Sequence, residues 1–96
     1  MSVSEEIYRQ DDSVVSRRIE DEVILVPIRQ NVADLESIYT LREAGAYIWE
    51  QIDGRRTTAE ILALTVEEFD VSEEEAQKDL TEFMQQLSAI GAIARV

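Results

Sequence analysis

The sequence predicts an α+β fold of winged helix-turn-helix type, a three-stranded antiparallel sheet followed by three helices. Three observations carry that prediction. Two short Val- and Ile-rich runs flank an acidic turn at Glu20-Asp21-Glu22, the pattern of a β-hairpin. The stretch Tyr39 to Gly54, YTLREAGAYIWEQIDG, passes from strand to amphipathic helix to Asp-Gly turn. Two Ser/Thr-x-x-Glu capping boxes then open two acidic helices.

Taken in order, Met1 to Asp12 is polar and reads as a flexible N-terminal segment, with residues 13–96 as the domain. Val14 to Ile19 and Glu22 to Ile28 are the hairpin strands. In the second, Val23, Leu25 and Pro27 share one face while Ile24, Val26 and Ile28 share the other. A strand apolar on both faces is expected to be more covered than its neighbours, and Pro27 should sit at an edge or strand end. Arg29 to Glu36 reads as a loop and Ser37 to Leu41 as a short third strand. The first helix is expected from about Glu43 to Ile52, with Leu41, Ala44, Ile48 and Ile52 at helical spacing. Gly45 inside it costs about 1 kcal/mol against Ala, and close approach of another backbone is the expected reason. Trp49 reads as a core anchor, with ligand stacking as the alternative.

Asp53-Gly54 stops that helix. Thr57 with Glu60, and Ser72 with Glu75, are the two capping boxes. Ile61, Leu62, Leu64, Val66 and Phe69 give the second helix its apolar surface. The third carries Ala76, Leu80, Phe83, Leu87 and Ile90 on one stripe. Gly91 ends it, and Ile93 with Val96 can return as a short extended tail. Glu73 and Glu74 in the first turn suit the positive end of the helix dipole.

Composition narrows the functions. The chain has 96 residues, the size of one domain. It lacks cysteine and histidine, which removes disulfides, thiolate sites and the commonest general base and metal ligand. The N-terminus has no basic region followed by an apolar run, so it does not read as a signal peptide. No apolar stretch approaches the roughly 20 residues of a membrane span. A soluble cytoplasmic protein without cofactor is expected.

The formal charge is −12. From Thr57 onward Lys78 and Arg95 are the only bases. The second and third helices resemble a helix-turn-helix, but the helix that would enter a DNA groove carries Glu73, Glu74, Glu75, Asp79 and Glu82 against Lys78. Phosphate neutralisation dominates such binding, so this helix would repel a duplex. The acidity either keeps the domain soluble or steers a basic or neutral partner. Paired carboxylates become acid and base when burial separates their pKa values, and these sit in turns, helix starts and solvent faces. Asp79 lies beside the apolar stripe, where a hydrogen bond to backbone or arginine is the expected role. No phosphate loop, metal-ligand spacing or nucleophile motif is present, and catalysis is not expected. A short strand beside a helix can instead take an extended peptide as an extra strand.

Tyr39, Leu41, Gly45, Trp49, Asp53-Gly54, Asp79, Phe83, Leu87 and Gly91, in this order and spacing, resemble the hallmarks of the PqqD-like family. The namesake is the small chaperone of pyrroloquinoline quinone biosynthesis. The resemblance covers roughly Asp12 to Val96. The family usually places Asn after the strand Leu, where this chain has Arg42; Thr40 or a shifted helix start would have to cap the first helix instead. The resemblance implies a non-catalytic recognition element for ribosomally made, modified peptides, in that quinone pathway or another. It would bind the leader of a precursor peptide as a strand added to the third strand, and present it to a modifying enzyme, often a radical S-adenosylmethionine (SAM) protein.

On this reading Glu36, Ser37, Ile38, Tyr39 and Thr40 supply the peptide ladder. Lys78, Thr81, Met84 and Gln85 line the other wall. Met84 is either an adaptable groove contact or a core filler, and Lys78 either meets an acidic leader residue or is solvated. Two other readings remain, a protein-protein adaptor using the same edge and a winged-helix regulator. The open edge permits a monomer or a strand-exchanged dimer.

Overall fold

The computed structural model describes residues 5–28 and 38–96. β1 (Tyr8–Gln10), β2 (Val14–Ile19), β3 (Glu22–Pro27) and β4 (Tyr39–Arg42) precede α1 (Ala44–Gln51), α2 (Thr58–Phe69), α3 (Glu73–Ala89) and β5 (Ile93–Arg95). The expected Arg29–Glu36 loop lies outside the described residues. The main sheet is antiparallel in the order β2-β3-β4, so the expected α+β arrangement of a three-stranded sheet and three helices is present. No helix among the described residues is long and apolar enough to cross a membrane.

The hairpin turns at Glu20, which adopts φ 57°. Its register pairs Val15 with Val26 and Arg17 with Ile24, and β4 continues it with Ile24 opposite Thr40 and Val23 opposite Leu41. Alternation then gives the sheet an inner face of Val14, Val23, Leu25, Tyr39 and Leu41. Val23 and Leu25 are buried there. β3 is central and half-covered on its outer face too, as its two-sided apolar run predicts, and Pro27 closes the strand.

The core sits between that inner face and the helices. Ala46, Ile48, Trp49 and Ile52 of the α1 region, Ile61 of α2, and Leu80, Met84 and Leu87 of α3 pack with Val14, Val23 and Leu25. Trp49 is 2% exposed, which makes it the anchor expected. Thr65 is buried as well, its hydroxyl donating to the Ile61 carbonyl at 2.8 Å. A polar residue can replace an apolar one on the buried face when its own helix satisfies it. Phe69 meets Tyr47 edge-on at 5.5 Å.

Local chemistry sets the helix ends. At α2 the capping box is reciprocal. Thr57 Oγ1 accepts from Glu60 N at 3.1 Å, and Glu60 Oε1 accepts from Thr57 N at 2.9 Å. Ser72 Oγ accepts from Glu75 N at 3.1 Å to open α3. At the Asp-Gly turn, Asp53 Oδ1 accepts from Arg56 N and Arg55 N at 3.0 and 2.9 Å. Those bonds, from Arg56 first, hold the Asp53 carboxyl below its usual pKa.

Two features depart from the sequence reading. Tyr8–Gln10, expected in the segment outside the domain, forms β1 and pairs with β5. Its backbone is bonded on both sides, with Gly54 N donating to Tyr8 O and Val96 N to Ile7 O, each at 2.9 Å. The start of α1 is the second. Glu43 is the N-cap with φ 50° and ψ −121° and makes no side-chain cap bond. Arg42 turns instead to Glu22, its cross-strand partner, at 2.9 Å. Neither Arg42 nor Thr40 caps the helix.

Two predictions follow from these sites. Glu43 occupies backbone space that favours glycine, at a cost of about 1–3 kcal/mol, part of which the greater chain entropy of an unfolded Gly offsets. Glu43→Gly should therefore raise stability by about 0.5–1 kcal/mol, read as a higher urea midpoint at unchanged slope. Tyr8 is raised above its usual pKa of 10.0 by burial, then by the hydrogen bond it donates to Glu6 and by that carboxylate's charge. A raised folded pKa means its contribution is present below pH 10 and is lost as pH climbs through the folded value. Alkaline unfolding curves of the wild type and Tyr8→Phe should converge above that range.

Candidate functional site

Among the described residues β3 alone pairs with β4 within the main sheet, so alternate N–H and C=O groups on the far side of β4 face outward. α3 stands across from its inner-face side chains, Tyr39 and Leu41. Between them is an apolar cavity of about 270 Å³, floored by Tyr39 and Leu41 and walled by Phe83, Gln86, Leu87 and Ile90. Tyr39 is 37% and Ile38 51% exposed. A strand added at this edge would send alternate side chains into the cavity and the others outward beside Thr40 and Arg42.

The junction of β4, α1 and α3 closes one end of the groove. A single residue, Glu43, separates β4 from α1, so the helix must turn directly back over the strand. A Cβ built on Gly45 would lie 3.7 Å from Phe83 Cε1 and 3.8 Å from Leu41 Cβ. What approaches Gly45 is thus a ring at ordinary contact distance, not the backbone that the sequence suggests. The Arg42–Glu22 pair fixes the outward face of the same strand end.

The expected site residues divide. Glu36 and Ser37 lie outside the described residues. Ile38, Tyr39 and Thr40 are at the open edge, with Tyr39 facing the cavity and Thr40 on the outer face opposite Ile24. Lys78 is exposed on α3 and lines neither cavity. Thr81, Met84 and Gln85 stand on the other flank of α3, in a groove shared with α2 and β1. Met84 is also 7% exposed and part of the core, whereas Phe83 and Ile90 are half-buried. Asp79 is exposed.

The wall beside β4 is therefore built from Phe83, Gln86, Leu87 and Ile90. Three of these, Phe83, Leu87 and Ile90, belong to the apolar stripe that the sequence predicts for this helix. The available signal was the pairing of Gly45 with an aromatic, which turns the Phe83 flank of α3 toward the strand-helix junction. Gln86 follows at i+3 from Phe83, and Ile90 at i+7. Among the described residues no group of three or more Asp and Glu side chains is placed to hold a metal ion.

Residues 22–93 match the family model described as coenzyme PQQ synthesis protein D (PqqD). None of the curated proteins matches. Among solved structures, TbiB1 in complex with the TbiA(beta) leader peptide is similar, with TM-score 0.76 and 25% identity. The likeness covers 88% of this chain and 93% of that one.

The packing of the wall can be checked directly. Leu87 is 2% exposed, and Leu87→Ala should cost about 3 kcal/mol. Gln86 is exposed on the same wall, and Gln86→Ala should stay within about 0.5 kcal/mol in urea denaturation.

Proposed function

This chain belongs to the PqqD family, and on that premise we propose that it is a non-catalytic peptide chaperone. It binds the leader of a ribosomally synthesised precursor peptide by strand addition to β4 and presents it to a modifying enzyme, of radical SAM type. The observation that carries the reading is the open β4 edge beside an apolar cavity on α3. The leader complex of the structurally similar TbiB1 supports it.

The physics assigns distinct roles to the two surfaces. Main-chain bonds along Ile38, Tyr39 and Thr40 supply affinity with little regard to sequence, and would extend toward Glu36 and Ser37. Side-chain selection falls to the cavity. Tyr39, Leu41, Phe83, Leu87 and Ile90 offer apolar surface, so alternate leader residues should be large and apolar. Gln86 supplies a polar rim able both to donate and to accept. Lys78, Thr81, Met84 and Gln85, expected on this wall, are proposed only as peripheral to the peptide.

Titration of the labelled protein with synthetic leaders of short precursor peptides encoded beside its gene tests the reading. Saturable amide shifts should cluster on Ile38 to Leu41, Phe83, Gln86 and Ile90. Ile90→Glu places a charge in the apolar cavity and should weaken leader binding at least about tenfold, the roughly 1.4 kcal/mol of one unpaired polar contact. Thr81→Glu, on the far flank, should leave it unchanged. A flat titration of the folded protein would favour an adaptor for a folded partner.

A further inference from the structure

The two flanks of α3 differ in charge as well as in shape. On the α2 side a larger groove of about 510 Å³ runs between α2, α3 and the β1 arm. Glu6 is the one acid in its lining, and it is engaged, accepting from Tyr8 Oη at 2.7 Å and pairing with Arg95 at 3.5 Å. The β4 side carries Asp79. At about 100° per residue, Asp79 lies within about 40° of Phe83, Gln86 and Ile90 around the helix axis, one turn before Phe83. Asp79, Phe83, Gln86 and Ile90 thus form one line at i, i+4, i+7 and i+11. Glu75 stands a turn further along it, while Lys78 is turned about 100° away from Asp79. Asp79 is exposed, and among the described residues no hydrogen bond or ion pair holds its carboxylate. The bond to backbone or arginine expected beside the apolar stripe is not formed there.

The connections show at which end of the β4 groove this acid stands. Ser13 Oγ donates to Gly91 O at 2.8 Å, and the next residue, Val14, pairs with Pro27 at the end of β3. Leu25, close to that end, pairs with Tyr39. The C-terminal end of α3 therefore lies at the Tyr39 end of β4. Gly45, beyond Leu41, meets Phe83. So α3 runs antiparallel to β4, and Asp79 stands past Leu41, where the chain enters α1. Arg42, the base of β4, faces outward to Glu22 and does not meet it. In an added strand, inward side chains recur every second residue, about 6.6 Å apart, against about 6 Å for four residues of helix. Successive inward residues would meet Gln86 and Ile90, then Phe83, then Asp79.

We infer that the leader presents a Lys or Arg at the inward position just beyond the cavity on the α1 side, its stem against Phe83 and its charge beside Asp79. The inference rests on the proposed leader-binding role of this groove and adds to it a reading of charge and direction. Apolar residues in the cavity fit either strand direction, whereas a cation at one end fits a single direction and register. The formal charge of −12 favours encounter with a cationic segment, and Asp79 gives that attraction a fixed place in the groove.

The probe is the synthetic leader of a short precursor peptide encoded beside the gene, titrated into the labelled full chain. Asp79→Asn should weaken its binding about fivefold, the upper range for an exposed ion pair, with an unchanged urea midpoint and shifts still centred on Tyr39 and Phe83. Glu67, exposed on α2, is the control for bulk charge, and Glu67→Gln should leave the affinity unchanged. Asp79→Lys should weaken binding further. Among leaders in which each Lys and Arg is changed in turn to Glu, one should lose affinity for the wild type and regain it with Asp79→Lys. A bound segment without Lys or Arg, equal effects of Asp79→Asn and Glu67→Gln, or no leader variant rescued by Asp79→Lys would overturn the inference while the leader reading stands. A wild type that binds no leader overturns both, so the two failures are told apart by the shifts at Tyr39 and Phe83.

Discussion

The seating of α3 is the constraint on which both grooves depend. Ala76, Leu80, Met84 and Leu87 form its buried ridge. That ridge fixes the rotation of the helix about its own axis, because interior side chains tolerate little displacement in a close-packed core. Once the ridge is buried, Phe83, Gln86 and Ile90 must stand toward β4, and Thr81, Gln85 and Ser88 toward α2. A helix rotated by one residue, about 100°, would bury one of these walls and expose part of the ridge. The core of this small domain therefore sets the walls of both grooves as well as the stability.

The second support comes from the chain ends. β1 and β5 join the N-terminal arm to the residues after α3, and further bonds tie the arm to the helices. Gln10 Nε2 donates to Trp49 O at 3.0 Å and Ser13 Oγ to Gly91 O at 2.8 Å. Gly91, with φ 76°, makes the reversal that brings β5 back. Ala92 and Ile93 are buried behind it. The arm thus holds the C-terminal end of α3 in place and supplies one wall of the larger groove.

Features set by neighbouring residues were legible in the sequence. The hairpin, the Thr57–Glu60 capping box, the Asp53-Gly54 turn and the Gly91 stop all rest on side chains a few positions apart, and each appears where its local chemistry puts it. β1 was not legible, because Tyr-Arg-Gln has no alternating apolar pattern and is held by residues at the far end of the chain. The wall of the cavity beside β4 is not legible for a related reason. Leu80, Phe83, Met84, Leu87 and Ile90 cover a wide sector of α3, and periodicity alone does not say which flank meets the sheet and which meets α2. The absent cap of α1 could be anticipated from Arg42, but its solution, a Glu43 at positive φ, requires the strand-helix geometry.

The sheet has two outer strands, and the contrast between them argues for β4 as the docking edge. β2 carries Arg17 and Arg18 in its middle, and Arg18 is tied to Glu50 of α1. Charged residues in mid-strand blunt an edge against added strands. β4 presents Tyr39, Thr40 and Leu41 before its one charged residue, Arg42, which is engaged with Glu22. An edge of this kind invites unwanted pairing between copies, yet β4 has four residues and belongs to a chain of formal charge −12. A short ladder gives little stability by backbone bonds alone, and like net charge opposes the approach of a second copy. Stable addition then needs side chains that fill the cavity on α3. If β4 takes a leader as proposed, selectivity for a peptide over self-association rests on the same pairing of a weak ladder with a demanding pocket.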